Sequence, residues 1–279
     1  MNIFIEKYIE RLNSIRSDKD IFELYRWFWR NRVSYAKTVH AINGQLALVG
    51  KYELKSDLPC LSVGGTKGVL LVSANPGWNK LLNEKEDNYC RDSSHNYVNL
   101  MQNFFIQHPL VVGKRITWWA NALASFRLLE NWQESFGDVY GVERWSRANE
   151  TRLVGGWELF PFHSEKDGMT SKLDKYDWLK DCAKASLKAA LRLKPRVLFI
   201  ASKHGAQLLH DILPQKHEPY ERWLGSGSRW ASLKYVKYNS KTEVITVSHQ
   251  MFSARRNFKN EQLFTAVREM RSESRKAEC

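Results

Sequence analysis

Four short apolar segments, each followed directly by a polar turn, constrain the fold of this chain more than any other feature. They predict strands at residues 68–73, 153–161, 196–202 and 243–248. Segments with the apolar spacing of helices separate these strands. Short buried strands that alternate with helices are typical of a parallel sheet covered by helices on both faces. The sequence therefore predicts an α/β fold in three layers, α/β/α, with a central four-stranded parallel sheet.

The helices predicted around these strands divide the chain into regions. Apolar residues recur at helical spacing in the following ranges: 3–15, 20–42, 96–107, 114–133, 176–193, 203–213 and 260–272. Residues 213–230 lack such a pattern, and we predict that they form a loop. We therefore predict an N-terminal helical extension at 1–50, packed on an α/β/α domain at 51–272, and a disordered tail at 273–279.

The chain is strongly basic. It has 43 Lys and Arg residues against 30 Asp and Glu residues, which gives a formal net charge of +13. A surface of this charge indicates a polyanionic partner, most simply nucleic acid. The alternative is a basic protein without such a partner. No run of about 18 apolar residues exists that could span a membrane, so we expect no membrane partner.

The cysteines and histidines do not form a recognisable metal site. The four cysteines are too widely spaced for a zinc ribbon or an iron–sulfur cluster, and free thiols in a reducing cytoplasm fit them best. The histidines lack the i, i+4 spacing with a carboxylate that is typical of zinc sites. We therefore expect no metal and no cofactor. We predict surface or helix-capping positions for the candidate histidines, which are His95, His163, His204 and His210.

Two polar residues stand out because each lies just beyond a predicted strand. Asn75 follows the first strand and His249 follows the fourth, and the carboxyl ends of parallel strands meet at one edge of a sheet. A carboxamide can hold a water molecule, and an imidazole can donate to an oxygen that gains negative charge. Such a pair suits cleavage of an N-glycosidic bond, which passes through an oxocarbenium-like sugar. The alternative is that Asn75 closes a turn and His249 caps a helix.

A strand that ends in Asn-Pro-Gly, as at residues 75–77, resembles the first active-site motif of the uracil-DNA glycosylase superfamily. The likeness is greatest to its mismatch-specific and single-strand-selective branches. The other motifs follow in the same order. Residues 157–162 resemble the base-reading strand, 197–209 the third strand with its helix, and 247–258 the second active-site motif. The resemblance covers about residues 60–272.

The resemblance implies a monofunctional DNA glycosylase that flips a base and leaves an abasic site. In that reading Asn75 positions the attacking water, and His249 donates a hydrogen bond to the leaving base. The implied base-binding residues are Gly77, Trp78, Glu158 and Phe160. The implied DNA-binding residues are Lys203, Met251, Phe252, Arg255 and Arg256, of which Met251 or Phe252 fills the gap in the duplex and the arginines hold phosphates. Core packing is the alternative for Met251 and Phe252.

Three departures from the family pattern bear on the substrate. Gly77 stands where the strictest uracil enzymes have a tyrosine, which leaves room above C5 of the base. Glu158 stands where an asparagine is expected, and a carboxylate accepts from an amino group such as that of cytosine. Gln250 and Met251 replace Pro-Ser and remove a hydroxyl expected to contact phosphate. We predict a C5-modified, hypermodified cytosine of phage DNA as substrate, and hence an antiviral defence activity.

Other interpretations remain open for the substrate and for the N-terminal helices. The protein could be a repair glycosylase for uracil or oxidised pyrimidines, or a non-catalytic nucleic-acid-binding protein, and Glu158 could be a surface charge at a strand end. Arg26, Arg30 and Arg32 lie close together in the N-terminal segment. They either add DNA contacts or form the solvated face of a packing helix. We expect a monomer that binds single- or double-stranded DNA.

Overall fold

The structure is a computed structural model. It describes residues 2–61, 64–74, 76, 77, 79–104, 107, 108, 111, 153–200, 203–213, 220–226, 229–247 and 260–277. The helices, numbered in chain order within these residues, are α1 (Ile3–Ser14), α2 (Asp18–Arg30), α3 (Arg32–Leu46), α4 (Lys80–Cys90), α5 (Ser94–Gln102), α6 (Asp177–Arg192), α7 (Lys203–Ile212) and α8 (Asn260–Ala277). Short 3-10 helices lie at Gly50–Tyr52 and Thr170–Lys175. The strands are β1 (Val69–Ser73), β2 (Val154–Glu158), β3 (Val197–Ile200), β4 (Tyr220–Ser226), β5 (Arg229–Lys237) and β6 (Glu243–Val247).

The strands form one six-stranded mixed sheet in the order β2-β1-β3-β6-β5-β4. β1 pairs parallel with β3, and β3 pairs parallel with β6. β5 pairs antiparallel with both β6 and β4. The α/β class predicted from the sequence is confirmed. The predicted four-stranded parallel sheet is wrong, because a hairpin adds two antiparallel strands beside β6.

The hairpin of β4 and β5 arises in a segment that the sequence analysis assigned partly to a loop. β4 lies at the edge of the sheet, and its Trp223 is 63% exposed. An edge strand with one solvated face needs no continuous apolar run. The polar composition of 213–230 therefore hid a strand that is held mainly by backbone pairing, from Tyr220 opposite Tyr235 to Ser226 opposite Arg229.

Two helix boundaries differ from the predicted ones. The range 20–42, predicted as one helix, divides at Asn31, whose side chain donates a hydrogen bond to the carbonyl oxygen of Trp27 (2.8 Å). The last helix continues to Ala277 and so includes most of the segment predicted to be a disordered tail. Its Ser274 is buried. Among the described residues, no helix is long and apolar enough to cross a membrane.

The chain divides into two compact units, neither of which is continuous along the sequence. The first unit comprises Met1–Gly64, Ser73–Lys114 and Gly156–Leu193, and the second comprises the remaining segments, Gly65–Val72, Arg115–Gly155 and Lys194–Cys279. The N-terminal helices therefore share a unit with α4, α5 and α6, and the expected boundary at residue 50 does not divide these units.

The core of the first unit is aromatic. Its fully buried rings include Tyr8, Tyr25, Phe28, Tyr35, Tyr97, Phe160 and Phe162. Tyr35 of α3 stacks on Phe162 with ring centroids 5.6 Å apart and planes 7° apart. Arg192 of α6 donates to the carbonyl oxygens of Leu12 (2.6 Å) and Ile15 (3.1 Å), and so satisfies the C-terminal end of α1.

The core of the second unit is aliphatic. Val69, Leu198 and Val244 are buried in the centre of the sheet, and Val267 and Met270 of α8 are buried in the same unit. Gly68 and Gly155 are required by close backbone approaches, because a Cβ atom at either position would meet a backbone carbonyl group within this unit.

Candidate active site at the end of β1

The chain that leaves β1 is tied by backbone hydrogen bonds to the chain that leaves β2. Ala74 accepts a hydrogen bond from the backbone N–H of Phe160 (3.0 Å), and Pro76 accepts one from the N–H of Ser164 (3.2 Å). Asn75 itself lies outside the described residues. The residues on either side of it, Ala74 and Pro76, are thus both bonded to the segment that follows β2.

Gly77 borders an open space. A Cβ atom built on Gly77 would meet nothing within 4 Å, and the residue is exposed. Its backbone is nevertheless held, since it forms a parallel bridge with Ser164 and its carbonyl oxygen lies 3.3 Å from Nδ1 of His163. The structure therefore combines a fixed backbone with free space at the position where the sequence predicted room for a base substituent.

Glu158 is the last residue of β2, and its side chain is buried, with 3% of the residue exposed. The hydroxyl of Ser73 donates a hydrogen bond to its carboxylate. The backbone of Glu158 is also bound on both sides, as its N–H donates to the carbonyl oxygen of Leu61 (3.1 Å) and its carbonyl accepts from Oγ of Ser186 (3.1 Å). The alternative that Glu158 is a surface charge is wrong. The structure contains a buried acidic side chain at the end of β2, bonded to Ser73, which precedes Asn75 by two residues in the sequence.

The residues around Glu158 are rigidly packed. The indole Nε1 of Trp157 donates to Oγ of Ser186 (2.9 Å), which in turn binds the carbonyl of Glu158. Phe160 is fully buried in the first unit, so its ring has no face in contact with solvent. Its role in base binding stays a prediction.

His163 is buried, which corrects the prediction of a surface or helix-capping position. Its Nε2 lies 3.1 Å from the carbonyl oxygen of Leu58, and its Nδ1 lies 3.3 Å from that of Gly77 and 3.5 Å from Nδ2 of Asn83. Burial lowers the pKa of His163, against the opposing charge of Asp57. A neutral ring has one N–H and donates to only one of the two carbonyl oxygens, while the ring contacts both the loop before β1 and the turn after β1.

A second group of buried ionisable residues lies on α4. Burial, followed by the charges of Asp87 and Asp57, raises the pKa of Glu86 to about 8. Burial lowers the pKa of His108 to about 4, with a smaller effect of His163. Oε2 of Glu86 and Nε2 of His108 are 3.7 Å apart. At neutral pH this contact joins a protonated carboxyl and a neutral imidazole, and it is not an ion pair.

Asp57 and Asp87 form a carboxyl pair beside this group. Burial raises the pKa of Asp87 to about 7, and the charge and hydrogen bond of Asp57 act in the same direction. Two carboxyl groups that hydrogen-bond to each other share a proton, because both cannot ionise at short range. Glu86 therefore keeps its proton at neutral pH, and Asp87 keeps its proton up to about pH 7.

Most of the predicted site residues fall outside the described part of the chain. These are Asn75, Trp78, His249, Met251, Phe252, Arg255 and Arg256. Lys203 is the first residue of α7, in the second unit. The structure brings Glu158 together with Ser73 and places Gly77 beside His163, all within the first unit.

The sequence did not indicate the burial of His163, nor the shifted pKa values of Glu86 and Asp87 on α4. Glu86 and Asp87 lie in a helix of mostly polar residues, where acidic side chains are normally solvated. Their burial depends on residues distant in the chain, such as Asp57 and His108, and no local pattern marks it. Among the described residues, Cys60, Cys90 and Cys182 are buried and none of them is in a disulfide.

Comparison with known proteins adds no further assignment. No family model, no curated protein and no solved structure matches the chain. Within the described residues, no group of three or more His, Cys, Asp and Glu side chains is arranged to hold a metal ion.

Proposed function

We propose that the protein is a monofunctional DNA glycosylase that hydrolyses the N-glycosidic bond of a flipped nucleotide. In this reaction the bond between the base nitrogen and C1′ breaks, the base leaves with the electron pair, and water adds to C1′ with loss of a proton. Asn75 orients the water, and His249 donates a hydrogen bond to the departing base. The products are a free base and an abasic site.

The observation that carries this proposal is the two-sided anchoring of the turn after β1. Hydrogen bonds to Phe160 and Ser164 hold the residues that flank Asn75, and the buried ring of His163 contacts the carbonyl oxygen of Gly77. A catalytic amide must be held within a fraction of an ångström to position water. The attachment of Ala74, Pro76 and Gly77 to one neighbouring segment supports such a role for the turn.

The proposed substrate is a cytosine with a bulky C5 substituent, as in hypermodified phage DNA, and the activity would serve antiviral defence. The open space at Gly77 supports this size, and the buried carboxylate of Glu158 supports a base that presents an amino group. A repair glycosylase for uracil needs a side chain at this position that donates a hydrogen bond to the base, whereas the carboxylate of Glu158 accepts one.

The net charge and the cysteines support the proposed DNA partner and the proposed cytoplasmic location. The net charge of +13 suits a DNA partner, and buried cysteines outside any disulfide suit a reducing cytoplasm. The proposed mechanism needs no metal or cofactor, and it needs one chain.

Abasic-site formation tests the proposal directly. The purified protein is incubated with uracil-containing DNA, unmodified DNA and phage DNA that carries glucosylated hydroxymethylcytosine, with Asn75→Ala as control. Abasic sites only in the phage DNA, absent with Asn75→Ala, are the expected result. Abasic sites only in uracil DNA would keep the glycosylase and overturn the modified-cytosine substrate. DNA binding without product in all three would favour a non-catalytic binding protein.

A further inference from the structure

A cavity of about 450 Å³ opens on the first unit where α2 and α5 lie beside each other. It is lined by Arg26, Trp29, Arg30, Ser94, His95 and Val98. These side chains offer hydrogen-bond donors, one indole and one aliphatic group, and none of them carries a negative charge. A cavity with this lining is suited to an anionic ligand that also has an apolar part.

The arginines of this cavity are not needed for the packing of α2. Arg26 and Arg30 are four residues apart and therefore lie on one face of the helix, and both are exposed. The buried face of α2 is formed by other residues, among them Ile21, Leu24 and Phe28. The two guanidinium groups are thus available to a ligand while the helix keeps its core contacts.

The charge of the cavity is only partly compensated. Arg26 forms an ion pair with Glu23, in which both side chains are about half exposed. Arg30 forms no ion pair with any residue that the structure describes. A guanidinium group binds a phosphate through two parallel hydrogen bonds, and an exposed Arg–Glu pair is weak enough to be exchanged for it.

The indole of Trp29 supplies the apolar part. Its ring centroid is 5.8 Å from that of Tyr97, and the guanidinium carbon of Arg32 lies 4.8 Å from it. Aromatic rings and guanidinium planes are the surfaces on which unpaired bases stack in single-strand binding sites. A duplex keeps its bases paired and stacked, so its bases cannot enter such a cavity.

We propose that this cavity binds one nucleotide of a single strand of DNA. The phosphate lies between Arg26 and Arg30, and the base lies against Trp29 and Val98. The proposal does not depend on glycosidic chemistry, because none of these residues belongs to the site at the end of β1. The cavity is expected to bind single-stranded DNA whether or not the protein removes a base from that DNA.

The test is fluorescence anisotropy with a short labelled oligothymidylate at several salt concentrations. The double variant Arg26→Ala/Arg30→Ala is compared with Lys19→Ala/Lys37→Ala, which removes the same charge from exposed positions on α2 and α3. We expect the cavity variant to bind about tenfold more weakly, with the slope of log K against log salt reduced by about 0.7 for one lost phosphate contact. The control variant should stay within about twofold of the parent protein.

A gain of affinity provides an independent check that misfolding cannot imitate. Glu23→Gln releases Arg26 and should tighten binding by about twofold to threefold, since the exposed pair contributes little by itself. Equal losses in the two double variants would overturn the proposal, because the whole basic surface would then be responsible. Unchanged binding by the cavity variant or by Glu23→Gln would overturn it as well, and so would an equal loss with the matching duplex.

Discussion

The hydroxyl of Ser73 donates a hydrogen bond to the buried carboxylate of Glu158, and each of these residues is the last of its strand. The bond joins the ends of β1 and β2 within the first unit, two residues before Asn75. A buried carboxylate is stable only with donors close by. The bond therefore links the stability of the strand ends to the chemistry proposed for the turn that follows.

Ser73→Ala should lower the free energy of unfolding by about 1–3 kcal/mol, because a buried carboxylate loses a donor. Chemical denaturation measures this change. In the background of Glu158→Gln the same substitution should have a smaller effect, since the charge is gone. A double-mutant cycle with no coupling between the two positions would contradict the bond.

Gly77→Tyr should leave the fold intact and narrow the substrate range. An added Cβ atom meets nothing within 4 Å at this exposed position, so we expect the melting temperature to change by only a few degrees. Activity on a base with a bulky C5 group should fall by at least about tenfold. The measurement is abasic-site formation with substituted and unsubstituted bases.

Gly68→Ala is the matched control for that variant. Its added methyl group would meet the backbone carbonyl of Leu153, so the protein should be strongly destabilised. If Gly77→Tyr destabilised the protein as much as Gly68→Ala, the space at Gly77 would not exist in solution.

Glu86→Gln should remove a pH dependence of stability between about pH 6.5 and 8. The folded chain holds the proton of Glu86 up to about pH 8, whereas the unfolded chain releases it near the ordinary value of 4.5. Stability therefore falls as the pH rises through this range. His108 has the opposite effect below its ordinary value of 6.5, and Asp87 acts with Glu86 up to about pH 7. Between pH 6.5 and 8 the folded chain binds one proton more than the unfolded chain. The free energy of unfolding therefore falls by about 2 kcal/mol over this range.

Thermal melting across this pH range checks the effect. Glu84→Gln, an exposed position on the same helix, should retain the dependence of the parent protein. A Glu86→Gln variant whose melting temperature falls with pH as steeply as that of the parent would show that Glu86 is not the group responsible.

His163→Ala should weaken the attachment of the turn after β1. The ring contacts the carbonyl oxygens of Leu58 and Gly77, and loss of such a buried hydrogen bond costs about 1–3 kcal/mol. In an active glycosylase the variant should lower kcat more than it changes KM, because Asn75 is displaced while the base pocket remains. Single-turnover abasic-site formation separates the two effects.

The control for His163 is His210→Ala, an exposed position on α7. It should change neither the melting temperature nor the single-turnover rate. His163→Asn retains a hydrogen-bonding group and should recover part of the rate. Equal rates for the parent protein and His163→Ala would rule out a positioning role.

The strands β1, β3 and β6 could be predicted from the sequence because each is a continuous apolar run buried on both faces. β4 could not, because an edge strand takes its stability from backbone pairing, and its side chains are mixed. The break at Asn31 was missed for a related reason. Neither proline nor glycine marks it, and the side chain of Asn31 makes the cap itself.

The candidate site was predictable only where it lies at a strand end. The positions of Glu158 and Gly77 follow from strand order and turn chemistry. The burial of His163 does not, since its contacts come from Leu58, Gly77 and Asn83, which are distant along the chain. The local sequence around a histidine that follows a strand does not show whether its side chain is exposed or buried.

The interleaving of the two units has a consequence for protein engineering. The chain passes between the units at five points, the first after Gly64 and the last after Leu193. No single cut in the gene yields either unit intact, so neither can be expressed as a truncated fragment. A designer who wishes to graft either of them must transplant three segments at once.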